Sequence, residues 1–457
     1  MKLRLRASAS GDPEARMSEM RTAVIGALVV MLGPISMSLY TPAMPAMVHA
    51  FDTTPAAIKL TLTVYFIGFA LAQLVCGPMS DAYGRRPVGI SFFTIYLAGS
   101  VIAAAAPSLS WLLAGRILQG IGAAAGISMS RAMVRDQYSG QQAARILNLI
   151  GVMLAIGPAV SPTLGGVILS TVGWQAIFFV MVLYGSIAIW LIAFVAPETN
   201  RNRDRALARP AAVLASYRTL FANRTFVATS LLIAMSPGGL YTLAAILPFV
   251  MIEKVGLTPT QFGMGMLAQT GSFMTGAALA GVLLRRTDAT RLVPVGLALV
   301  ALSGLGFCIG LRIWPPSFIS VMAPTALWAF GNAFIMPGAT TAALAPFPRI
   351  AGAASAVTGF MQIGGGLAGT AVAALLFHEP FNSLRVIMPV MSVIAIGSYA
   401  WLVWRGGGLV TTTPTGEPAR RPETAAASDH GALPLAGTTD DTPLGDAHDG
   451  HARKTRR

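Results

Sequence analysis

Apolar runs of roughly twenty residues recur along almost the whole chain, separated by short polar gaps. An α-helix rises about 1.5 Å per residue, so about 20 apolar residues cross the ~30 Å hydrocarbon layer of a bilayer. Runs of that length lie at 20–41, 58–79, 87–106, 110–133, 144–168 and 174–196. After a polar stretch they resume at 226–252, 260–284, 291–313, 317–341, 353–377 and 383–404. The pattern predicts an all-α membrane protein with twelve transmembrane helices in two six-helix bundles. It divides the chain into an N-terminal tail (1–19), a first bundle (20–196), a central loop (197–225), a second bundle (226–404) and a C-terminal tail (405–457).

Basic residues collect in alternate gaps. One set holds Arg85, Arg86, Arg131, Arg135 and Arg145, then Arg201, Arg203, Arg205, Arg209, Arg218 and Arg224 of the central loop, then Arg285, Arg286, Arg291 and Arg349. The other set holds little beyond Lys59, Lys254, Arg312 and Arg385. Lys and Arg accumulate on the cytoplasmic side of a membrane. Both termini and the central loop are therefore expected in the cytoplasm, which requires an even number of crossings and agrees with the hydropathy pattern. Lys2, Arg4 and Arg6 before the first run resemble the start of a signal peptide, but the length of that run and the eleven that follow favour an uncleaved first helix. Met17 and Met20 are alternative starts. The stretch from about Gly406 onward is rich in Thr, Pro, Ala, Gly and Asp with hardly any aromatics, and is expected to be disordered.

Composition agrees with lipid as the main solvent. Of 457 residues, 54% are hydrophobic and 11% charged, whereas a soluble domain carries roughly a quarter charged residues. The 48 glycines and 29 prolines are tolerated where helices pack inside a membrane. The net charge of +14 sits in the gaps and not on one basic face, which argues against nucleic acid as a partner. Cys76 and Cys308 lie within apolar runs, no metal-ligand spacing exists, and His430, His448 and His451 fall in the polar tail. No nucleophile–base arrangement appears, so neither catalysis nor a cofactor is expected.

The six-plus-six organisation points to two related halves rocking about a shared site. Gly151, Gly157, Gly165 and Gly166 of the fifth run answer to Gly352, Gly359, Gly364, Gly365, Gly366 and Gly369 of the eleventh. The gap GPMSDAYGRR after the second run answers to GVLLRRTDATR after the eighth. In the first of these gaps, Gly77 and Pro78 permit a close helix crossing and Gly84 allows a tight turn. Asp81 can face the positive end of a neighbouring helix, while Arg85 and Arg86 anchor the loop at the membrane surface.

This stretch resembles the signature loop of the major facilitator superfamily, which implies a gate between the halves built by Gly77, Asp81, Gly84, Arg85 and Arg86. Arg116-Ile117-Leu118-Gln119-Gly120 looks like the fourth-helix RxxQG motif of proton-driven members. Gly157-Pro158, followed by Gly165-Gly166, is similar to the fifth-helix motif of drug antiporters, and GWQAIF at 173–178 resembles GWRxIF with Gln175 in place of the arginine. Within the superfamily, LTLTVYFIGFALAQLVCGPMSDAYGRRPV, SRAMVRD and LPFVMIEKVGLTPTQFG are similar to the Bcr/CflA drug-efflux group. The resemblance covers about residues 35–385 and implies multidrug or small-molecule efflux by alternating access. It implies a proton gradient as energy source, small amphiphilic molecules and protons as partners, a monomer, and a bacterial inner-membrane location.

One departure bears on the energy source. That group reads TDMYLPALP in its first helix, with an aspartate available to carry a proton; here Met37-Ser38-Leu39-Tyr40 puts a serine at that place. Serine does not exchange a proton near neutral pH. Asp52, Asp81, Asp136, Glu198, Glu253, Asp288 and Glu379 all fall at or beyond helix ends. An uncoupled or differently coupled carrier of the same fold, metabolite exporter or importer, is thus the second reading. Arg116 becomes the one strongly placed charge inside a run, expected with Gln119 to tune a proton site or bind an anionic substrate group. Pro158 is expected to kink its helix while the glycines around it pack against the opposite half. By depth, Met37, Ser38, Tyr40, Tyr65, Met153, Tyr241 and Phe360 are candidates to line a permissive cavity.

Overall fold

The computed structural model describes residues 17–138, 140–200, 203, 209–347, 350–377 and 379–404. Among them twelve helices are long and apolar enough to cross a membrane. The first six are α1 (Glu19–Ala50), α2 (Pro55–Tyr83), α3 (Arg85–Ala104), α4 (Leu109–Gln137), α5 (Arg145–Thr171) and α6 (Trp174–Val195). A shorter helix, α7 (Pro210–Ala222), follows. The second six are α8 (Arg224–Lys254), α9 (Pro259–Leu283), α10 (Ala289–Ile313), α11 (Phe318–Leu344), α12 (Gly352–Leu375) and α13 (Pro380–Trp404). Most of the tail segments 1–19 and 405–457 lies outside the described residues.

Local sequence sets several helix starts. Ser18 and Thr54 accept backbone N–H bonds from the first turns of α1 and α2, and Pro55 supplies a pre-set φ at the first position of α2. Thr258 with Gln261, and Ser317 with Ser320, form reciprocal caps on α9 and α11. Each cap satisfies backbone donors that would otherwise be stranded at the membrane boundary.

The central segment is not simply a loop. It contains α7, which starts on Pro210 and places Val213, Tyr217 and Leu220 on one face at helical spacing. Leu220 is buried in the second-half core, and the Tyr217 hydroxyl donates to the Leu74 carbonyl at 2.8 Å. A helix of thirteen residues is too short to register as a span, so hydropathy alone passes over it.

The packing repeats between halves. α5 lies on α1 as α12 lies on α8, and α4 lies on α3 as α11 lies on α10. The halves meet through α2 against α12 and α5 against α9, two contacts that exchange when the halves are swapped. Each half has its own core, the first around Tyr40, Phe66, Phe93 and Phe178, the second around Phe226, Phe262 and Trp328. Large apolar side chains also point outward all round: Phe194 is 77% and Ile319 75% exposed. A surface this apolar is one that faces lipid.

Candidate functional site

Between the halves lies a cavity of about 380 Å³. α1 contributes Pro34, Met37, Ser38 and Thr41; α5 contributes Leu154, Pro158 and Pro162. Across from them stand Pro237 and Tyr241 of α8, Met266, Gln269 and Phe273 of α9, Asn332 and Met336 of α11, and Gln362 of α12. Among the described residues no charged one lines it. Prolines from α1, α5 and α8 border it; each deletes an intrahelical hydrogen bond and bends its helix there. The polar groups are neutral. Gln362 Nε2 lies 3.3 Å from the Tyr241 hydroxyl, Thr41 donates to the Ser38 carbonyl at 3.0 Å, and Asn332 accepts from Ser236 at 2.9 Å. Gln269 also lines the cavity, and its Oε1 has no hydrogen-bond partner among the described residues.

A chain of spaces connects this cavity to the arginine-rich face. A neck of about 60 Å³ shares Tyr241, Met336 and Gln362 with the cavity, and Gln73, Ile127, Arg131 and Ser355 with a recess of about 340 Å³ at that face. At the neck the Gln73 side chain lies against the bare backbone of Gly359, so α2 and α12 approach closely there. On the far face the halves are closed. Gly166 of α5 abuts the backbone of Pro259 and Thr260, Gly263 of α9 abuts Pro162 and Thr163, and Thr63 donates to Thr370 at 3.3 Å. The spaces between the halves thus run toward the arginine-rich face, while the far face is packed shut.

Gly166→Val is expected to break the far seal. The new side chain would fall on the Pro259 carbonyl, and overpacking of this kind costs about 1–3 kcal/mol. That moves the balance between closed and open by roughly tenfold. A cysteine introduced at Thr260, with Cys76 and Cys308 removed, should react correspondingly faster with a membrane-impermeant maleimide; an unchanged rate would mean that the seal lies elsewhere.

The loop between α2 and α3 holds a charge network belonging to the first half. Gly84 has φ +106°, a backbone conformation that only glycine adopts easily. Asp81 pairs with Arg85 and also borders the recess beside Gly352 and Ala353, at the start of the neighbouring α12. Arg85 also donates to Asp136 at 2.9 Å and to Ser80 at 2.7 Å, and Asp136 accepts from Thr199 at 2.8 Å. The Glu198 carboxylate receives the backbone N–H groups of Arg85 (2.9 Å) and Arg86 (3.1 Å) at the start of α3, and pairs with Arg203 at 3.3 Å. A carboxylate on exposed N–H groups at a helix start is favourable. The Arg86 guanidinium reaches the Ala193 carbonyl. Glu198, Asp136 and Thr199 are partners the motif by itself does not reveal, since they come from α4 and the chain beyond α6. Gly77 is not at a close crossing: no atom lies within 4 Å of where its side chain would begin, and it lines the recess.

Arg116 does not face the cavity. It is fully buried inside the first half, its guanidinium held between the rings of Tyr40 and Tyr65 at 4.5 and 4.4 Å. One nitrogen donates to Gln119 Oε1 at 2.8 Å, and Gln119 passes the chain on to Ser100 at 2.8 Å. Nε and Nη2 have no partner among the described residues. Tyr40 and Tyr65 therefore are not cavity walls: Tyr40 hydrogen-bonds Thr61 at 2.6 Å, and Tyr65 donates to the Gly33 carbonyl at 3.0 Å. Their aromatic faces are consumed by the cation, which hydropathy does not register. Met153 and Phe360 are half-buried and lie off the cavity wall, whereas Met37, Ser38 and Tyr241 are on it. In the fifth-helix motif, Gly157 packs on Met31 and Ile35 and Gly165 on Leu39, all in α1 of the same half; Gly166 alone of the motif glycines meets the opposite half, and Pro158 lines the cavity. Depth does not fix which way a helix face turns. That is why these assignments changed.

Two pseudo-equivalent six-helix halves thus surround a central cavity. A family model of the Major Facilitator Superfamily matches residues 26–373. The chain belongs to the Major Facilitator Superfamily. Among relatives of this superfamily chain, Multidrug resistance protein D of Escherichia coli (strain K12) is 28% identical over 383 residues, covering 82% of this chain and 93% of that one. A bicyclomycin resistance protein homolog of Haemophilus influenzae is 26% identical, covering 83% and 95% respectively, in keeping with the Bcr/CflA likeness. The crystal structure of a D-xylose-proton symporter superimposes with a TM-score of 0.66 at 15% identity, over 83% of this chain and 97% of that one, which shows the shared fold.

Proposed function

We propose that this superfamily member exports small amphiphilic molecules, in the manner of a multidrug efflux carrier, by alternating access. The observation that carries the reading is the uncharged, Met- and amide-lined cavity between the halves, with a path to the arginine-rich face and a seal at the far face. Apolar walls with a few neutral hydrogen-bonding groups suit varied amphiphiles better than one charged metabolite. The names of the relatives, multidrug resistance and bicyclomycin resistance, support the same direction. The arginine-rich face is cytoplasmic by the positive-inside rule, which places both termini inside and sets the loading state toward the cytoplasm of a bacterial cell, in the inner membrane. The protein acts as a monomer, with the proton gradient as energy source.

A second reading is favoured by one observation. Ser38 lines the cavity where a first-helix acid would stand, and no carboxylate lines that wall or pairs with Arg116 among the described residues. A carrier of this fold not coupled to protons through its first helix fits those facts. Everted vesicles incubated with a fluorescent amphiphile separate the two. Collapse of the pH gradient by nigericin should cut uptake at least about tenfold under antiport, a size typical of loss of a driving force of about 1.4 kcal/mol. Unaltered uptake would select the uncoupled carrier. No uptake of any amphiphile, with unaltered drug susceptibility of an efflux-deficient host, would reject export itself.

A further inference from the structure

The recess at the arginine-rich face carries a charge imbalance that the gate loop only partly offsets. Three arginines border it, Arg85, Arg131 and Arg135, with one carboxylate, Asp81. Arg85 is already matched by Asp81 and by Asp136 behind it. Arg131 and Arg135 pair with no carboxylate among the described residues. They stand one helical turn apart on α4, both open to the recess, a spacing at which like charges repel. Among the described residues, Arg131 donates one hydrogen bond, to the Ser355 hydroxyl of the opposite half at 2.8 Å. Opposite them α12 begins, and its N-terminal peptide groups add partial positive charge to the same wall. Gly352 has no side chain there, and Arg135 Nη1 comes within 3.7 Å of where one would begin.

Two guanidinium groups, a hydroxyl and a helix start converging on about 340 Å³ make a receptor for an oxyanion. The neighbouring helix fixes its level. α7 supplies Tyr217 to the recess wall, while its outer face exposes Leu214 (69%) and Phe221 (48%) with Arg218 between them. An apolar and arginine-bearing face of that kind lies in the headgroup layer of a membrane. We propose that the recess formed by Arg131, Arg135 and the start of α12 binds a phosphate oxyanion, supplied by the headgroup of an anionic phospholipid or by free phosphate. Bound there, the phosphate bridges α4 of one half to α12 of the other at the mouth of the path to the cavity. It competes with Ser355 for Arg131 and so links local anion content to the opening of the halves.

The test is native mass spectrometry of the full chain in detergent, with dioleoyl phosphatidylglycerol, dioleoyl phosphatidylcholine, or inorganic phosphate as probe. Phosphatidylglycerol should add one adduct more tenaciously than phosphatidylcholine, and Arg131→Gln or Arg135→Gln should weaken it roughly tenfold, as expected for loss of one charged hydrogen-bond donor. Arg131→Lys and Arg135→Lys, which keep the charge, should retain most of the binding, and Arg218→Gln on the outer face of α7 should retain all of it. If inorganic phosphate instead forms the arginine-dependent adduct and displaces the lipid, the site stands and free phosphate is its source. Equal adducts for both lipids, or adducts of lipid and phosphate alike indifferent to both glutamine variants, would overturn the proposal. A melting curve for each variant guards against reading misfolding as lost binding, and the readout does not depend on transport.

Discussion

Replacing Gly84 by valine is expected to abolish export while leaving the protein inserted and present in the membrane. A β-branched side chain at φ +106° costs on the order of 1–3 kcal/mol in backbone strain. Its first carbon would also lie 2.6 Å from Glu198 Oε2 and 3.0 Å from the Arg203 guanidinium. The carboxylate that caps α3 would be driven off the backbone N–H groups of Arg85 and Arg86, at a further cost of about 1–2 kcal/mol. Because Arg85 simultaneously holds Asp81 and Asp136, the displacement propagates through the network tying α2, α3 and α4 together. The apolar spans are untouched, so membrane-fraction blots should match the native protein. Asp81→Asn removes one strand of the network and should do the same less completely. Native drug resistance in cells carrying Gly84→Val would detach this loop from the transport cycle.

Arg116→Met should cost function far more than it costs stability. Burying a guanidinium without a carboxylate is unfavourable by several kcal/mol. Against this stand two ring contacts, of roughly 2 kcal/mol each when desolvated, and one charged hydrogen bond of about 1.5–3 kcal/mol. The terms nearly cancel, so an apolar side chain of similar length should shift Tm by no more than about 5 °C. A group that contributes so little net stability at that electrostatic cost is expected to act in the cycle through its charge. Export by Arg116→Met is expected to fall at least about tenfold, and by more than export by Arg131→Ala. Collapse of the fold would make Arg116 a structural cation; full export would make it a filler between two tyrosines.

The twelve spans were legible because apolar length is a one-dimensional property: whatever the neighbours, a run of that length satisfies its backbone internally and its side chains in lipid. Gly84 was legible for a related reason. Glycine between a helix end and a pair of arginines admits few readings. The partners of that loop were not, since Glu198 and Asp136 lie 112 and 51 residues from the arginines they hold. Met37, Ser38 and Tyr241 sit on the cavity wall, whereas Tyr40 and Tyr65, at comparable depth, turn inward to enclose Arg116. A rotation of one helix by a residue or two decides between those outcomes, and hydropathy is nearly the same on every face of a helix buried in a membrane. The helix α7 was hidden by its length.

By itself, then, the order of apolar and polar residues determined the span count, the division into halves and the distribution of arginines between the two faces, while the serine in place of a first-helix acid showed only against the pattern of the family that the chain resembles. Those features follow from the chain's solvent and from its covalent sequence. Tertiary structure alone decided that the described wall of the cavity is uncharged, that Arg116 is sealed away from it, that Gly166 closes the far face while Gly157 and Gly165 stay within their own half, and that Arg131 and Arg135 look into one basic recess. Each of these depends on which helix faces meet across the two halves, and that choice is made by side-chain packing between segments hundreds of residues apart.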